Sequence, residues 1–175
     1  MVTQVVNVYR RVKLTNLALN KTATASSSWD ATYVPSNAND GKIVNTYPDG
    51  WAPKASPASR IGEPTSQEDE PSWWQVDLGA SYQIARIELV TRQLEDYPLS
   101  RYNFEIRASN HEGMDEYAVL GRQGCSNAIP FKGTWVTDVT DPNSYRYIRA
   151  AKIAKDYCGW WEFFIAELRV LGYTQ

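Results

Sequence analysis

Histidine occurs once in this 175-residue chain, at His111, and cysteine twice, at Cys125 and Cys158. So sparse a supply, with no Cys-x-x-Cys or Cys/His cluster, leaves no ligand set for zinc. Cys125 in "RQGCSNA" and Cys158 in "KDYCGWW" both stand in turn-like sequence; a bridge between them and two free thiols are both compatible with that placement. No apolar run approaches the roughly 20 residues of a membrane span. The opening "MVTQVVNVYRRVKL" lacks the uninterrupted apolar core of a signal peptide. Basic excess is missing as well: a formal net charge of −2 argues against a surface built to neutralise nucleic-acid phosphates.

Catalytic signatures are also lacking. There is no nucleophile elbow, HExxH or phosphate-binding loop. Acidic residues abound, but "SQEDEPS" crowds Glu68, Asp69 and Glu70 without the apolar frame that tunes a carboxyl for glycoside hydrolysis. Helical periodicity, heptads and internal repeats are absent. Loop punctuation and strand alternation take their place.

In "YNFEIRAS" the apolar Phe104, Ile106 and Ala108 alternate with Asn103, Glu105 and Arg107, so one face of a strand is apolar. "ARIELV" repeats this with Ala85, Ile87 and Leu89. "FIAELRVL" puts Phe164, Ala166, Leu168 and Val170 on one side and Glu167 on the other. "WWQVDLG", "YAVLG", "TWVTDV" and "YRYIRAA" are further short strands bounded by Gly, Pro, Asn and Asp. Seven or eight short strands with long loops predict an all-β, antiparallel two-sheet sandwich. At least one of Trp73 and Trp74 belongs to the core, because neighbours in a strand face opposite ways. Trp51 and Trp135 also read as packing residues. Residues 47–72 form the longest interval without a strand, a length more often functional or disordered than incidental.

The stretch "SNANDGKIVNTYPDGW", residues 36–51, is too rich in Asn, Asp, Gly and Pro for regular structure. Yet it stands between well-patterned segments. The chain also has seven Trp and eleven Tyr, more amphipathic rings than a core of this size requires. Some of them are expected at the surface for binding.

Taken in order, "NLALNKTATASSS", "NANDGK", "PSWWQVDLGASYQIARIELVTR", "YNFEIRASN", "YRYIRA" and "FFIAELRVLG" resemble the successive blocks of the discoidin, or coagulation-factor type C, domain. Within that superfamily the nearer likeness is to family 32 carbohydrate-binding modules and fucolectins. The resemblance covers residues 16–173, leaving residues 1–15 as a linker or extension and 16–175 as the domain. It implies an eight-stranded jelly-roll β-sandwich of the galactose-binding-domain type, with a ligand surface made by loops at one end. Without a signal peptide the chain is either cytosolic or a secreted or cell-surface module of a larger protein, and the linker-like opening favours the second.

The resemblance gives the 36–51 stretch a purpose. Sugar-binding members wrap a structural calcium ion there, and calcium favours six to eight oxygen ligands drawn from carboxylates and carbonyls. Carried over by position, Asp40 and Glu167 supply carboxylates, Asn37, Lys42 and Ala166 supply carbonyls, and Thr46 supplies its carbonyl and hydroxyl. A metal-free Asp-Gly turn is the competing reading. For saccharide contact the resemblance points to Tyr157, Trp160 and Trp161 before the last strand, to Arg92, Asp96, Tyr97 and Arg101 after a central strand, and to Trp29 and Tyr33 in an early loop. Arg92 could instead be paired with Asp96 or Glu95. Galactose- and fucose-specific members partner this arginine with a histidine from an earlier loop, and His111 comes too late in the chain to match. The sugar therefore stays open. Within the same superfamily, a phospholipid-binding or protein-binding module is the alternative.

Overall fold

The computed structural model describes residues 13–52, 72–94, 96, 98–153 and 163–174. Eight strands account for most of them: β1 (Leu14–Asn16), β2 (Thr22–Ala25), β3 (Trp73–Val90), β4 (Phe104–Ser109), β5 (Ala118–Gln123), β6 (Thr134–Asp138), β7 (Ser144–Lys152) and β8 (Glu167–Tyr173). Every pairing is antiparallel. Short 3-10 turns at Pro35–Ala38 and Pro98–Arg101 are the helical elements described. Among the described residues no helix is long and apolar enough to cross a membrane.

Two layers share one strand. The first half of β3 runs between β2 and β7, and β7 continues to β4 and β5. Its second half runs between β8 and β6, and β8 continues to β1. "WWQVDLG" and "ARIELV" read as two strands because Gly79 looks like a break. Instead Gly79, at φ +84°, sits in an irregularity between Asp77 and Tyr82, with its N–H donating to Asp77 Oδ1 at 2.8 Å. A bulge of this kind bends a strand without ending it. β1 was not foreseen either: it pairs Leu14 with Tyr173 and Thr15 with Gly172, so the end of the segment read as a linker belongs to the sheet.

The alternation reading of β4 holds. Phe104, Ile106 and Ala108 are fully buried, packed between the layers with Trp74, Val76, Ile148, Leu168 and Val170. Phe104 meets Trp135 edge-on at 5.2 Å and Phe163 at 4.9 Å between ring centroids. Burying each such ring contributes about 1.5–3 kcal/mol by apolar transfer. Trp51 and Trp74 are core residues and Trp135 packs against the core, as their sequence contexts suggested. Cys125 is disulfide-bonded; the other cysteine of the chain, Cys158, lies outside the described residues.

Phe164 was placed on the face of Ala166, Leu168 and Val170, but β8 begins only at Glu167, and the backbone bends at Ala166. Phe163 therefore enters the main core, while Phe164 turns away into a small separate cluster with Tyr33 and Ala52.

Candidate functional site

That small cluster marks one end of the sandwich, and the 36–51 loop is fastened to it. Trp51 exchanges two backbone hydrogen bonds with Ile165, at 2.8 and 3.1 Å. Gly50 lies so close that a Cβ there would stand 2.2 Å from the Ile165 carbonyl oxygen, and its φ is +129°. Only glycine tolerates that approach and that backbone angle together. Asn37 ties the start of the loop to its end, its side-chain amide donating to the carbonyls of Thr32 (2.7 Å) and Gly50 (3.3 Å). At the loop's middle the Gly41 N–H donates to Glu167 Oε2 at 3.3 Å. Beyond the 3-10 turn at its start, the stretch is thus held at two points, to Ile165 just before β8 and to Glu167, the first residue of β8.

Asp49 is 4% exposed. Its Oδ2 accepts from Arg92 Nε (3.3 Å), the Gln93 N–H (3.3 Å) and the Leu94 N–H (3.1 Å). Arg92 is 9% exposed, and its guanidinium lies 4.7 Å from the centroid of Phe164 and 5.6 Å from that of Tyr47. Tyr33 is buried next to Tyr47, ring centroids 6.3 Å apart and nearly perpendicular. Burial pushes its phenol up to about 12; Arg92 opposes that rise, and Asp49 and Tyr47 add to it. Tyr47 itself is 58% exposed and Trp29 53%. The Trp29 N–H donates to the Ala52 carbonyl at 2.9 Å, which sets that residue beside the same cluster. The next turn is pinned by Asp30, whose carboxyl is held below its usual range by bonds from the Thr32 hydroxyl and N–H.

Tyr33 and Arg92 lie against Phe164, while the Trp29 backbone is bonded to Ala52 of the same cluster and its side chain is exposed. Asp96 does not take Arg92; it pairs with Arg101, whose guanidinium lies 6.0 Å from the Phe131 ring. Tyr97, Tyr157, Trp160 and Trp161 lie outside the described residues. Three members of the cluster were missed. Asp49 and Tyr47 lie in the stretch too rich in Asn, Asp, Gly and Pro for regular structure, and Phe164 on the apolar side of "FIAELRVL".

The second feature of this end is Glu167, fully buried in β8. Its Oε1 has no hydrogen-bond partner among the described residues. Burial, with Asp40 nearby adding repulsion, pushes its carboxyl up to about 7, against a pull downward from the Gly41 N–H and Arg169. Asp40 is capped by Lys42, through the backbone N–H at 2.8 Å and Nζ at 3.1 Å. Thr46 is exposed on the same loop and Ala166 is buried beside Glu167. Among the described residues no three His, Cys, Asp or Glu side chains gather as a metal-binding group. An oxygen-rich site that takes most of its ligands from carbonyls would not require such a group.

The F5/8 type C domain model matches residues 22–163. Among solved structures, the chain is similar to an f-lectin (fucolectin) from striped bass, Morone saxatilis, serum, at 22% identity and TM-score 0.71, over 92% of this chain and 50% of the fucolectin. The chain thus spans half the length of that lectin. It is similar to a chitosan-binding module of a chitosanase/glucanase from Paenibacillus sp. IK-5, at 25% identity and TM-score 0.63, over 91% of this chain and all of the module. It is also similar to the family 32 carbohydrate-binding module of NanJ from C. perfringens, solved in complex with galactose, at 20% identity and TM-score 0.63, over 91% and 98% of the two chains. No curated protein sequence matches the chain. The family model spans most of the sandwich, including the 36–51 loop, β3 and Arg92: the chain belongs to the F5/8 type C domain family.

Proposed function

We propose that the chain is a non-catalytic carbohydrate-binding module whose saccharide site is the loop end around Tyr47, Trp29 and Arg92. One observation carries this reading: the exposed ring of Tyr47 lies beside a buried guanidinium–carboxylate pair that is locked by backbone N–H groups, and the exposed Trp29 is tied through Ala52 to the cluster next to it. Sugars offer apolar C–H faces and hydroxyl edges, so their sites combine ring platforms with fixed polar groups. Fucolectin, the chitosan-binding module and the galactose-bound module support the saccharide class. Within a larger secreted or cell-surface protein, such a module would concentrate a partner domain on its substrate, and several copies would convert weak single-site binding into avidity.

A structural calcium ion forms part of the proposal. The residues fit it on one count, the buried and unpartnered Glu167 Oε1 facing the field of Asp40. Asp40 and Glu167 would supply carboxylates, Asn37, Lys42 and Ala166 carbonyls, and Thr46 its carbonyl and hydroxyl. The ion would supply the positive charge that neutralises both carboxylates. The chain's own residues then hold the loop: Gly41 donates to Glu167, Asn37 joins the loop's ends, and Trp51 is paired to Ile165.

A glycan array read with and without calcium tests the reading, with Tyr47→Ala as control. Saccharide binding that Tyr47→Ala removes is the expected result. Sedimentation with phosphatidylserine liposomes in the absence of any glycan signal would favour the phospholipid-binding alternative, and turnover of polysaccharide would refute the non-catalytic role.

A further inference from the structure

The outer face of the five-stranded layer carries a second set of functional groups. Because Trp74, Val76, Leu78, Phe104, Ile106, Ala108, Ile148 and Ala150 point into the core, alternation turns Trp73, Gln75, Arg149, Arg107 and Glu105 to the opposite side of the layer, where Trp73, Arg107 and Arg149 are half-buried and Gln75 and Glu105 are buried beneath them. The register aligns them in rows. Gln75 is opposite Arg149, Arg149 opposite Arg107, and Arg107 opposite Val119. Two arginines thus face each other directly on neighbouring strands, an arrangement that repels by a few tenths of a kcal/mol to about 1 kcal/mol.

Each guanidinium rests on a ring: Arg149 lies 4.2 Å from the centroid of Trp73, and Arg107 4.7 Å from that of Tyr117. The carboxylates of this face are already engaged. Asp77 is held by Arg146 through two bonds of 2.8 Å. Glu105 accepts from Arg107 at 2.7 Å and Arg122 at 2.8 Å; burial raises its carboxyl, but these two arginines hold it below the usual range. Arg149 is different. Its Nε donates to the neutral Gln75 side chain at 2.8 Å, and no described carboxylate forms a salt bridge with it. Burial and the neighbouring Arg107 lower its basicity, the sign of a cation short of an anion. In the adjacent turn, Glu112 engages this row through its carbonyl, which accepts from Gln75.

We propose that this face is a second binding site, centred on Arg149 and flanked by the Glu105-paired Arg107, for the carboxylates of an acidic, uronate-bearing polysaccharide. The planar guanidinium fork matches a carboxylate with two parallel hydrogen bonds, and the Trp73 ring under Arg149 holds its guanidinium in place before ligand arrives. A polyphosphate or an anionic membrane fits less well, since the chain is net negative and this charge is local rather than spread over the surface. The saccharide class rests on the function proposed above; the charge requirement stands on this face alone.

Titration of the whole chain with trigalacturonic acid, followed by amide and indole NMR shifts, tests it, with neutral galactotriose as control. Expected are shifts at Trp73, Arg107 and Arg149 with the acid and none there with the neutral trimer. Arg149→Gln should weaken binding by about tenfold or more, the loss of a charged hydrogen-bonded contact, whereas Tyr47→Ala should leave it unchanged. No shift at this face, equal affinity in Arg149→Gln, or binding only to phosphatidylserine vesicles would overturn the proposal. Loss of neutral-glycan binding in Tyr47→Ala with acid binding intact would separate the two sites; failure of neutral-glycan binding alone would count against the loop-end site and not against this one.

Discussion

Two carboxylates at the loop end, both removed from water, are treated oppositely by the fold. Asp49 meets a guanidinium and two backbone N–H groups on one oxygen. Glu167 meets a single N–H, and its other oxygen meets nothing among the described residues. A buried charge persists only where donors or counter-charges compensate its lost hydration. Asp49 is therefore complete within the protein, while Glu167 is finished only by a proton or a cation. The same loop holds one closed site and one open one.

The largest effect expected from this contrast is at the closed site. Asp49→Ala strips the buried Arg92 of its carboxylate and leaves the Gln93 and Leu94 N–H groups without their acceptor, which should cost about 3–5 kcal/mol. Urea unfolding would measure it, and a loss below 1 kcal/mol would break the distinction between the two carboxylates.

Next comes the open site. With Glu167 held near 7 rather than at its ordinary 4.5, the metal-free fold keeps a proton that the unfolded chain has released. That contribution is intact below pH 4.5 and disappears as pH rises through about 7. Chelated protein should accordingly lose stability over this interval, and calcium at a hundredfold excess over its Kd should add about 2.7 kcal/mol at neutral pH. Glu167→Gln should abolish both responses in melting curves. Identical curves with and without calcium in the unsubstituted chain would remove the metal from the account.

A smaller change is expected from the rings. Tyr47→Ala should reduce saccharide affinity by about 1–2 kcal/mol, as for an aromatic anchor, while the melting temperature stays close to that of the parent, because the ring is exposed. Titration calorimetry beside a melting curve separates the two. Smallest of all is Lys42→Ala. Its ammonium forms an exposed pair with Asp40, so the stability change should stay within about 0.5 kcal/mol. Calcium affinity should hold or rise, since only the Lys42 carbonyl is asked to bind; a sharp fall would mean that the side chain has a further role.

How much of this was legible beforehand depends on the range of the signal. β4 was readable because alternation is local: Phe104, Ile106 and Ala108 announce their own face. Glu167 was readable too, as the polar phase of a strand. Arg92 was assigned to a ligand loop by resemblance, but its partner Asp49 was not foreseen. Asp49 is 43 positions away and lies in "YPDG", where turn chemistry alone explains every residue. No local pattern distinguishes an Asp that makes a turn from one that makes a turn and anchors an arginine. Phe164 was misassigned for a related reason, since a one-residue bend at Ala166 reverses the phase on which alternation depends. Gly79 misled in the other direction, its punctuation marking a kink inside β3 and not an end. The early-loop ring Trp29 was expected outside and is outside. Trp160 and Trp161, the other rings expected there, lie outside the described residues.

The eighteen-residue β3 has a mechanical consequence. A strand that serves as a rung in both layers works like a common beam: neither sheet can slide over the other or peel off while the beam keeps its hydrogen bonds. Denaturation should then be all-or-none, with backbone and side-chain probes reporting a single midpoint.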